Sequence, residues 1–283
     1  MDVAHQANAD QIVYWNGPNG RRWTDRQASQ DVLLAPVSQL LIGRIGPKAG
    51  DRIVDIGCGC GATSIALAER VAPSGFVLGV DISAPMLERA RQLASKALPL
   101  DFVQADATLY RFEPGSFDLL VSRFGVMFFA DPVLSFANLR KALGPKARVV
   151  FACWRAPKEN PWMMEPLQAV YRHVPRLPQV GPEDPGPFAF ASEERVTRIL
   201  REAGYSDVAT EACDIALDIA IGRGLDAATD AALDIGPSAR ALDGHPPEVR
   251  SAARASVREL LMPYMRGETV PLPGSIWIVT ARA

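Results

Sequence analysis

The residues around position 55 combine a carboxylate with closely spaced glycines, which suits a site for a charged nucleoside. An apolar strand pattern at residues 53–56 places Asp55 near its carboxyl end. Glycines then follow at alternate positions, at Gly57, Gly59 and Gly61. Open α/β sheets bind ligands at the carboxyl ends of their strands. A Cβ atom at Gly57 or Gly59 would fill space that a ligand needs, so the pattern predicts close approach of a ligand to the backbone.

A second acid lies at the end of the next predicted strand. Residues 62–72 have a helix pattern, and the amide groups of its first turn would face the same ligand. The apolar run at residues 76–80 then ends in Asp81, whose carboxylate would accept hydrogen bonds from both hydroxyls of a ribose. Together these elements predict a nucleoside site at one edge of a sheet.

The order of the acid and the glycines distinguishes between nucleosides. A dinucleotide site normally reads G-x-G-x-x-G, with no charge before the first glycine. Here Asp55 comes first, in the order Asp-x-Gly-x-Gly-x-Gly. An ionised carboxylate would repel a pyrophosphate, but it would attract an ammonium or a sulfonium group. We therefore expect a nucleoside with positive charge, and a nicotinamide-dependent oxidoreductase stays as the alternative.

Further matches at regular spacing make the chain resemble the class I S-adenosylmethionine-dependent methyltransferases. The run at residues 54–61 is similar to the first motif of that family. The ends of three later strands match at the family's spacing, at residues 81–82, 104–107 and 117–122. The resemblance spans residues 45–155 and implies S-adenosylmethionine as the cofactor. It also implies an α/β fold, a Rossmann-like doubly wound sheet that is mostly parallel with an antiparallel last strand.

The resemblance implies a role for each matching polar residue. Asp55 and the loop at residues 57–61 would hold the methionine end of the cofactor, and Asp81 would hold the ribose. Asp106 would accept a hydrogen bond from the adenine amino group, while the backbone amide of Ala107 would meet a ring nitrogen.

Apolar and aromatic side chains complete the predicted cofactor site. Ile82 and Met86 would pack on the face of the adenine, and Trp23 would close over the cofactor from the front of the sheet. The candidate cofactor residues are Trp23, Asp55, Gly57, Cys58, Gly59, Gly61, Asp81, Ile82, Met86, Asp106, Ala107 and Ser122.

Simpler interpretations of some of these positions stay open. Asp55 alone could cap a helix, and Asp106 could be a solvated loop residue. Cys58 and Cys60 are spaced like a metal-binding pair, but no second pair of cysteines or histidines lies nearby in the sequence. We therefore expect no metal.

Strand and helix patterns alternate along the chain, which indicates a parallel sheet covered on both faces. The predicted strands are residues 51–56, 76–81, 100–105, 117–122, 147–153, 208–217 and 275–281. The predicted helices are residues 4–14, 25–45, 62–72, 84–97, 131–143 and 193–203. The second helix keeps its apolar repeat despite Pro36.

Segments outside the minimal sheet are predicted to form a lid. We expect an N-terminal helical lid at residues 1–45 and a methyltransferase domain at residues 46–283, the latter with inserts at 155–190 and 222–271. A turn-rich stretch at residues 15–23 separates the two N-terminal helices. Inserts at the ligand edge of a sheet usually carry selectivity. The alternative is that they form a dimer surface or a passive cap.

Side chains near this edge are candidates for contact with the acceptor. They are Trp15, Arg123, Trp154 and Trp162. Arg123, at the tip of the fourth strand, could hold an anionic group of the acceptor or pair with an acid on the lid. Trp23 begins the second helix in this prediction and so has a rigid support, whereas Trp15 could simply anchor the first helix.

The end of the fourth strand narrows the class of acceptor. Residues 122–126 lack the Asp/Asn-Pro-Pro-aromatic signature of enzymes that methylate amino groups of nucleic acids, and the acids that catechol enzymes use for magnesium. The chain instead resembles the small-molecule group akin to the quinone-biosynthesis C-methyltransferases. We therefore expect direct methyl displacement onto a small organic acceptor. Because no catalytic base can be assigned, a non-catalytic protein that binds the cofactor is a further alternative.

Composition excludes several other classes of protein. The 283 residues carry a formal net charge of −2, which gives no electrostatic footprint for nucleic acid. The four cysteines indicate free thiols in a reducing compartment rather than a disulfide framework. The sequence contains no secretory leader pattern and no apolar run of about 18 residues. We expect a cytoplasmic protein without membrane or nucleic-acid partners, and a homodimer is compatible with the sequence.

Overall fold

A seven-stranded sheet runs through the residues that the computed structural model describes, which are 8–178 and 181–283. Its strands are β1 (Arg52–Ile56), β2 (Phe76–Asp81), β3 (Leu100–Gln104), β4 (Phe117–Arg123), β5 (Leu143–Trp154), β6 (Ser206–Asp218) and β7 (Pro271–Arg282). Their order is β3-β2-β1-β4-β5-β7-β6. Neighbours from β3 to β5 are parallel, whereas β7 is antiparallel to both β5 and β6. The predicted mostly parallel sheet with an antiparallel last strand is confirmed.

Helices cover both faces of the sheet. The N-terminal helices are α1 (Ala9–Asn16), α2 (Pro18–Asp25), α3 (Gln27–Leu33) and α4 (Ala35–Ile45). The later helices are α5 (Ala62–Val71), α6 (Ala84–Leu93), α7 (Pro132–Lys141), α8 (Pro161–Val170), α9 (Glu193–Glu202), α10 (Gly224–Asp234), α11 (Gly236–Leu242) and α12 (Pro247–Leu261). Right-handed crossovers place α5 and α6 on one face and α7 on the other. Contacts between α4 and α5, and between α7 and α9, complete the two helical layers.

The central strands are apolar because helices cover both of their faces. Ile53 and Val54 of β1 and Leu119 and Leu120 of β4 are at most 1% exposed. Continuous buried runs are typical of parallel strands with helices on both sides. These two strands form a rigid base whose carboxyl ends lead into the candidate site.

The prediction of a turn-rich segment at residues 15–23 is wrong, because α2 occupies most of that stretch. Gly20 gives the physical reason. A Cβ atom at this position would lie 1.8 Å from the carbonyl oxygen of Trp15, so the glycine lets α1 and α2 pack closely. Trp23 consequently lies inside α2 and does not begin a helix.

The prediction of a single helix at residues 25–45 is also wrong, since this stretch is divided into α3 and α4 near Leu34. Pro36 lies in the first turn of α4, where its missing N–H costs no helical hydrogen bond. A proline that seemed tolerated within one long helix instead begins a new one. Of the predicted helix at 4–14, residues 4–7 lie outside the described part of the chain.

The two inserts form a helical layer at the carboxyl edge of the sheet. The first follows β5 and contains α8, and the second joins β6 to β7 and contains α10, α11 and α12. α8 packs against α11, α12 and β7. Ion pairs of Arg22 with Asp243 and of Arg26 with Asp234 connect α2 to the second insert. Within the described residues, no helix is long and apolar enough to cross a lipid bilayer.

Candidate active site

The carboxyl ends of β1, β2 and β4 bring the predicted charged residues to one edge of the sheet. Asp55 of β1 lies beside Gly79 of β2 and Val121 of β4 in the parallel register. Asp81 ends β2, and Arg123 ends β4. The strand register therefore places two acids and one cation around the start of the glycine loop.

Asp55 is a buried carboxylate with one oxygen left free. The residue is 1% exposed, and Ser64 Oγ donates a hydrogen bond of 2.6 Å to its Oδ2 atom. Its buried Oδ1 atom has no hydrogen-bond partner among the described residues. Burial raises the pKa of Asp55 to about 7, although the Ser64 hydrogen bond and the charge of Arg123 act in the opposite direction. A buried acceptor without a donor is costly, so this oxygen fits a cationic group of a ligand.

Gly59 leaves space in front of the loop. Its φ of +56° is in the left-handed region, which favours glycine. A Cβ atom there would meet only the Sδ atom of Met86, at 3.9 Å. Met86 itself is buried, so Gly59 and Met86 border the same space. We call this open space the cradle at Gly59.

Gly57 and Gly61 serve the packing of the loop itself. A Cβ atom at Gly57 would lie 2.5 Å from the Cα atom of Gly125, and one at Gly61 would lie 2.9 Å from the ring of Phe102. The expectation that a Cβ at Gly57 would fill ligand space is therefore wrong, because the backbone that follows β4 already fills that space. Gly57 lets the loops after β1 and β4 touch.

Asp81 fixes the glycine loop through backbone hydrogen bonds. Its Oδ2 atom accepts from the Gly59 N–H at 2.8 Å, and its Oδ1 atom accepts from the Ser83 N–H at 2.8 Å. Burial raises its pKa, while these hydrogen bonds oppose the change. Each carboxylate oxygen has a further lone pair, so Asp81 retains capacity for ligand hydroxyls.

The side chain of Cys58 belongs to a small apolar cluster. It packs with Leu87, Ala90 and Phe102, and burial raises the pKa of its thiol well above the usual range. The loop can thus meet a ligand at Cys58 only through its backbone. No group of three metal-ligating side chains occurs in the parts of the chain that the structure describes.

Asp106 is held by a residue that sequence reasoning missed. Asn8 Nδ2 donates to both carboxylate oxygens of Asp106, at 2.8 Å each, and to Thr108 Oγ1 at 2.9 Å. Asn8 Oδ1 accepts from the backbone N–H of Ala130 at 3.1 Å. Ala107, beside this hub, is buried. No local pattern singles out Asn8, because all of the hydrogen-bond partners of its side chain are about 100 or more positions away.

A second asparagine joins α1 to the end of β2. Asn16 Nδ2 donates to the carbonyl oxygen of Ile82 at 3.0 Å, and its Oδ1 atom accepts from the Ala84 N–H at 2.9 Å. Ser83 Oγ also donates to the carbonyl oxygen of Trp15 at 2.7 Å. The N-terminal helices therefore cover the segment in which the ribose and adenine contacts are predicted.

Trp15 and Trp23 belong to one aromatic cluster over this edge. The Trp15 ring contacts those of Trp23, Tyr14 and Phe128 edge to face, with centroids 6.4, 5.1 and 5.1 Å apart. Trp23 is half-buried and packs against the core. Both tryptophans thus lie in the N-terminal helices that cover this edge.

Ser122 has a structural environment. Its Oγ atom donates to the carbonyl oxygen of Ile56 at 2.7 Å and accepts from the N–H groups of Gly125 and Val126 at 3.1 and 3.3 Å. These bonds use its one donor and both of its acceptor positions. The expected contact of Ser122 with the cofactor is therefore not available to its side chain, which joins the loops after β1 and β4.

Arg123 faces an acid of the N-terminal helices. Its Nη1 atom donates to Ser38 Oγ at 2.8 Å, and its Nη2 atom lies 3.7 Å from Asp31 Oδ1. Burial lowers the pKa of Arg123, while Asp31 and Asp55 act in the opposite direction. All three residues of this contact line an open cavity of about 810 Å³ between α4 and α5.

Trp154 and Trp162 form a separate aromatic group at the first insert. Trp154 stacks on Phe124, with ring centroids 4.2 Å apart, and lies 5.1 Å from Trp162. Phe124 has a φ of 70°, which is strained for a residue with a side chain. The indole N–H of Trp162 is buried and has no hydrogen-bond partner in the described residues.

Comparison with known proteins identifies the kind of domain that carries these features. A family model described as a methyltransferase domain matches residues 53–146. Nocamycin O-methyltransferase from Saccharothrix syringae is 29% identical over 187 residues, which cover 61% of this chain and 65% of that protein. Demethylmenaquinone methyltransferase from Thermus thermophilus is 32% identical over 171 residues, which cover 56% of this chain and 76% of that protein.

Solved structures agree on the fold. The YcgJ protein from Bacillus subtilis has a TM-score of 0.56 at 17% identity, with 87% of this chain and 97% of that chain covered. At this identity the likeness concerns the fold alone. The chain spans less than two thirds of the length of the nocamycin enzyme, but it covers more than two thirds of the Thermus enzyme at 32% identity. The chain therefore belongs to the class I S-adenosylmethionine-dependent methyltransferase family.

Proposed function

We propose that this protein transfers the methyl group of S-adenosylmethionine to a small organic acceptor by direct displacement. The proposal is carried by the cradle at Gly59, whose N–H donates to the carboxylate of Asp81, together with the buried free oxygen of Asp55 at the end of β1. The named relatives support the acceptor class, since one acts on nocamycin and another on demethylmenaquinone. Both names describe small organic molecules.

Asp55 and Asp81 divide the recognition of the cofactor between them. Asp55 Oδ1 accepts a hydrogen bond from the methionine ammonium, because it is the buried acceptor without a partner. Asp81 accepts from the ribose hydroxyls while it keeps the Gly59 N–H in place. Ile82 and Met86 pack on the adenine.

The adenine is recognised at the end of β3. Asp106 accepts from the adenine amino group through a lone pair that Asn8 leaves free, and the Ala107 N–H meets a ring nitrogen. Asn8 keeps the carboxylate of Asp106 in a fixed orientation, since it holds both oxygens and is itself held by Thr108 and Ala130. Trp23 lies in the helices that close this end of the site.

The chemistry requires positioning more than acid–base groups. When bound, the sulfonium of the cofactor supplies an electrophilic methyl group. The residues of this chain hold the acceptor in line and exclude water, and such positioning lowers a barrier by several kcal/mol. The hydrogen bonds of Asn16 and Ser83 close the N-terminal helices over the site. A general base is not needed for an acceptor that is already acidic.

Location and partners follow from the thiols and the charge. The four cysteines are free, and burial raises the pKa of Cys153 well above its usual range. Free thiols suit a reducing compartment, so a cytoplasmic location is part of this proposal. The net charge of −2 favours a small-molecule partner over nucleic acid. A homodimer is compatible with these features.

Ligand binding and product detection test the function together. S-adenosylhomocysteine should raise the melting temperature of the protein, because a ligand of the folded state stabilises it by mass action. NAD should leave it unchanged. Deuterated methyl from labelled S-adenosylmethionine should then appear, by mass spectrometry, in a member of a panel of small organic acceptors that includes demethylmenaquinone. A shift with NAD and none with S-adenosylhomocysteine would contradict the proposal.

A further inference from the structure

The cavity between α4 and α5 begins next to the proposed site of methyl transfer. Arg123 ends β4, and Ala62 begins α5 directly after the glycine loop, so both mark the inner end of the cavity. Gly43 of α4 and Ala66 of α5 leave the walls apart because their side chains are small or absent. The volume of about 810 Å³ is within the usual range for a site that holds an organic ligand.

The cavity has one cation at each end. Arg123 at the inner end is largely buried, with 12% of its side chain exposed. Arg70 is an exposed residue eight positions after Ala62, which corresponds to about 12 Å along the helix axis. A ligand group that reaches the transfer site therefore meets Arg123 and not Arg70.

The hydrogen-bonding capacity of Arg123 is only partly used. A guanidinium carries five N–H donors in a planar fork, and here Ser38 receives one of them. The 3.7 Å separation from Asp31 is too long for a hydrogen bond. Asp31 accepts instead from the side-chain amide of Gln27. Arg123 is thus a desolvated cation that pairs with Asp31 by charge but not by a hydrogen bond.

We propose that the acceptor carries a carboxylate, which binds Arg123 through two parallel hydrogen bonds and takes over the role of Asp31. This inference rests on the proposed function, since it names the acceptor class of the same site. The planar fork of arginine matches a carboxylate in this geometry. The acceptor's reacting atom then lies on the side of the glycine loop, and the rest of the molecule extends between α4 and α5.

The exchange of one acid for another explains how the site rejects neutral molecules. With no acceptor bound, Asp31 balances the charge of Arg123, so no buried cation is left without a counter-charge. Asp31 is 28% exposed and can turn towards water when a carboxylate arrives. A neutral amide brings no charge, so it leaves Asp31 in place and competes with it for the fork.

Matched acid and amide probes test this proposal. Binding of 1-naphthoate and of 1-naphthamide is titrated by calorimetry in the presence of saturating S-adenosylhomocysteine. The acid should bind at least about tenfold more tightly, since a charge-assisted pair exceeds a neutral one by that factor. Equal binding of the two probes, or no binding of the acid, overturns the proposal. Failure of S-adenosylhomocysteine itself to bind would instead contradict the proposed function.

Three variants locate the anion within the cavity. Arg123→Gln should remove the preference for the acid, and Arg70→Gln, which removes the other cavity cation, should keep it. Asp31→Asn should strengthen binding of the acid about threefold to tenfold, because the competing carboxylate is gone. A gain of affinity in Asp31→Asn tests the proposal even if Arg123→Gln does not fold. Unchanged or weaker acid binding in Asp31→Asn overturns the exchange of carboxylates.

The cofactor also has a carboxylate, so its binding to Arg123 is tested separately. Arg123→Gln should bind S-adenosylhomocysteine within about twofold of the parent. If its affinity falls by tenfold or more while that of 5′-methylthioadenosine, which lacks the carboxylate, is unchanged, Arg123 holds the cofactor. That outcome overturns the assignment of Arg123 to the acceptor.

Discussion

The proposed role of Asp55 in cofactor binding conflicts with the stability of the folded protein. Its ordinary pKa is 3.8, and burial raises the folded-state value to about 7. Between these values the folded protein holds more protons than the unfolded chain, so the free energy of unfolding falls as the pH rises from 4 to 7. Above pH 7 the carboxylate stays ionised at a cost, and this ionised form is the one that binds a cation.

Cofactor affinity should accordingly depend on pH. S-adenosylhomocysteine should bind more tightly as the pH rises from 6 to 8, by about tenfold at most, because below pH 7 its ammonium must displace a proton from Asp55. Calorimetry at both pH values measures the change. The control ligand 5′-methylthioadenosine, which has no ammonium, should bind equally at both. A flat profile for S-adenosylhomocysteine would show that Asp55 does not meet the ammonium.

Substitution of Asp55 by asparagine separates the two requirements. Asp55→Asn should raise the stability of the ligand-free protein at pH 8, by roughly 1 to 3 kcal/mol, because it removes the cost of a buried charge. It should also lose most of its affinity for S-adenosylhomocysteine. Thermal melts at pH 5 and pH 8 compare the variant with the parent, and the gain should shrink at pH 5. A loss of stability at pH 8 would contradict this reasoning.

The glycines of the loop should respond differently to the same change. Gly57→Ala should destabilise the fold, since its Cβ would lie 2.5 Å from the backbone of Gly125. Gly59→Ala should cost only about 1 kcal/mol, the strain of a positive φ, and Gly59→Val should fold but lose cofactor binding. Circular dichroism melts and calorimetry distinguish these results. Normal cofactor binding by Gly59→Val would place the cofactor away from this loop.

At the scale of elements, asparagines attach α1 to the ends of the strands. Asn16→Ala removes two of the three hydrogen bonds between α1 and the segment after β2 and leaves that of Ser83 with Trp15, so the N-terminal helices should open more often. We expect cofactor affinity to fall about threefold to tenfold, mainly through faster dissociation in stopped-flow experiments. Arg44→Gln, which breaks an exposed pair with Glu211 elsewhere, is the control and should change nothing. Equal dissociation rates in both variants would make α1 a passive cover.

Elements built from local patterns could be predicted, and elements defined by distant contacts could not. The predicted strand at 76–81 and the predicted helix at 193–203 agree with β2 and α9 to within a residue. The spacing of their apolar residues and the glycines that flank them are local signals of where each element lies. The prediction of a turn-rich segment at residues 15–23 failed, because Gly20 allows α2 to pack against α1 and does not mark a turn. Asn8 was missed for the same reason, since its partners lie far along the chain.

The candidate site shows the same division between local and distant information. Asp55, Asp81 and the glycine loop follow from their own spacing. The different structural roles of Gly57 and Gly59 depend on the loop after β4, which comes close to Gly57 only in the folded chain. Ser122 likewise reaches the carbonyl oxygen of Ile56, 66 positions away, only through the fold.

At the scale of the whole molecule, Asp234 joins the N-terminal helices to the second insert. It pairs with Arg26 at the end of α2 and with Arg250 of α12. Asp234→Ala should therefore increase the rate of cofactor dissociation by up to about fivefold. The increase is small because partly exposed ion pairs contribute little free energy. Asp226→Ala, which breaks pairs with Arg254 and Arg258 inside the insert, should leave the rate unchanged. Similar rates for the two variants would contradict a link through Asp234.

The large sequence separation of the N-terminal contacts also affects the order in which they form during folding. The hydrogen bond from Arg22 to Asp243 spans 221 positions, and those of Asn8 span about 100 or more. Contacts that close such long loops form late. During synthesis α1 and α2 leave the ribosome before the second insert, so their docking surface is complete only after that insert has emerged. The ion pairs of Arg22 and Arg26 with the second insert are therefore the last of the N-terminal contacts to form.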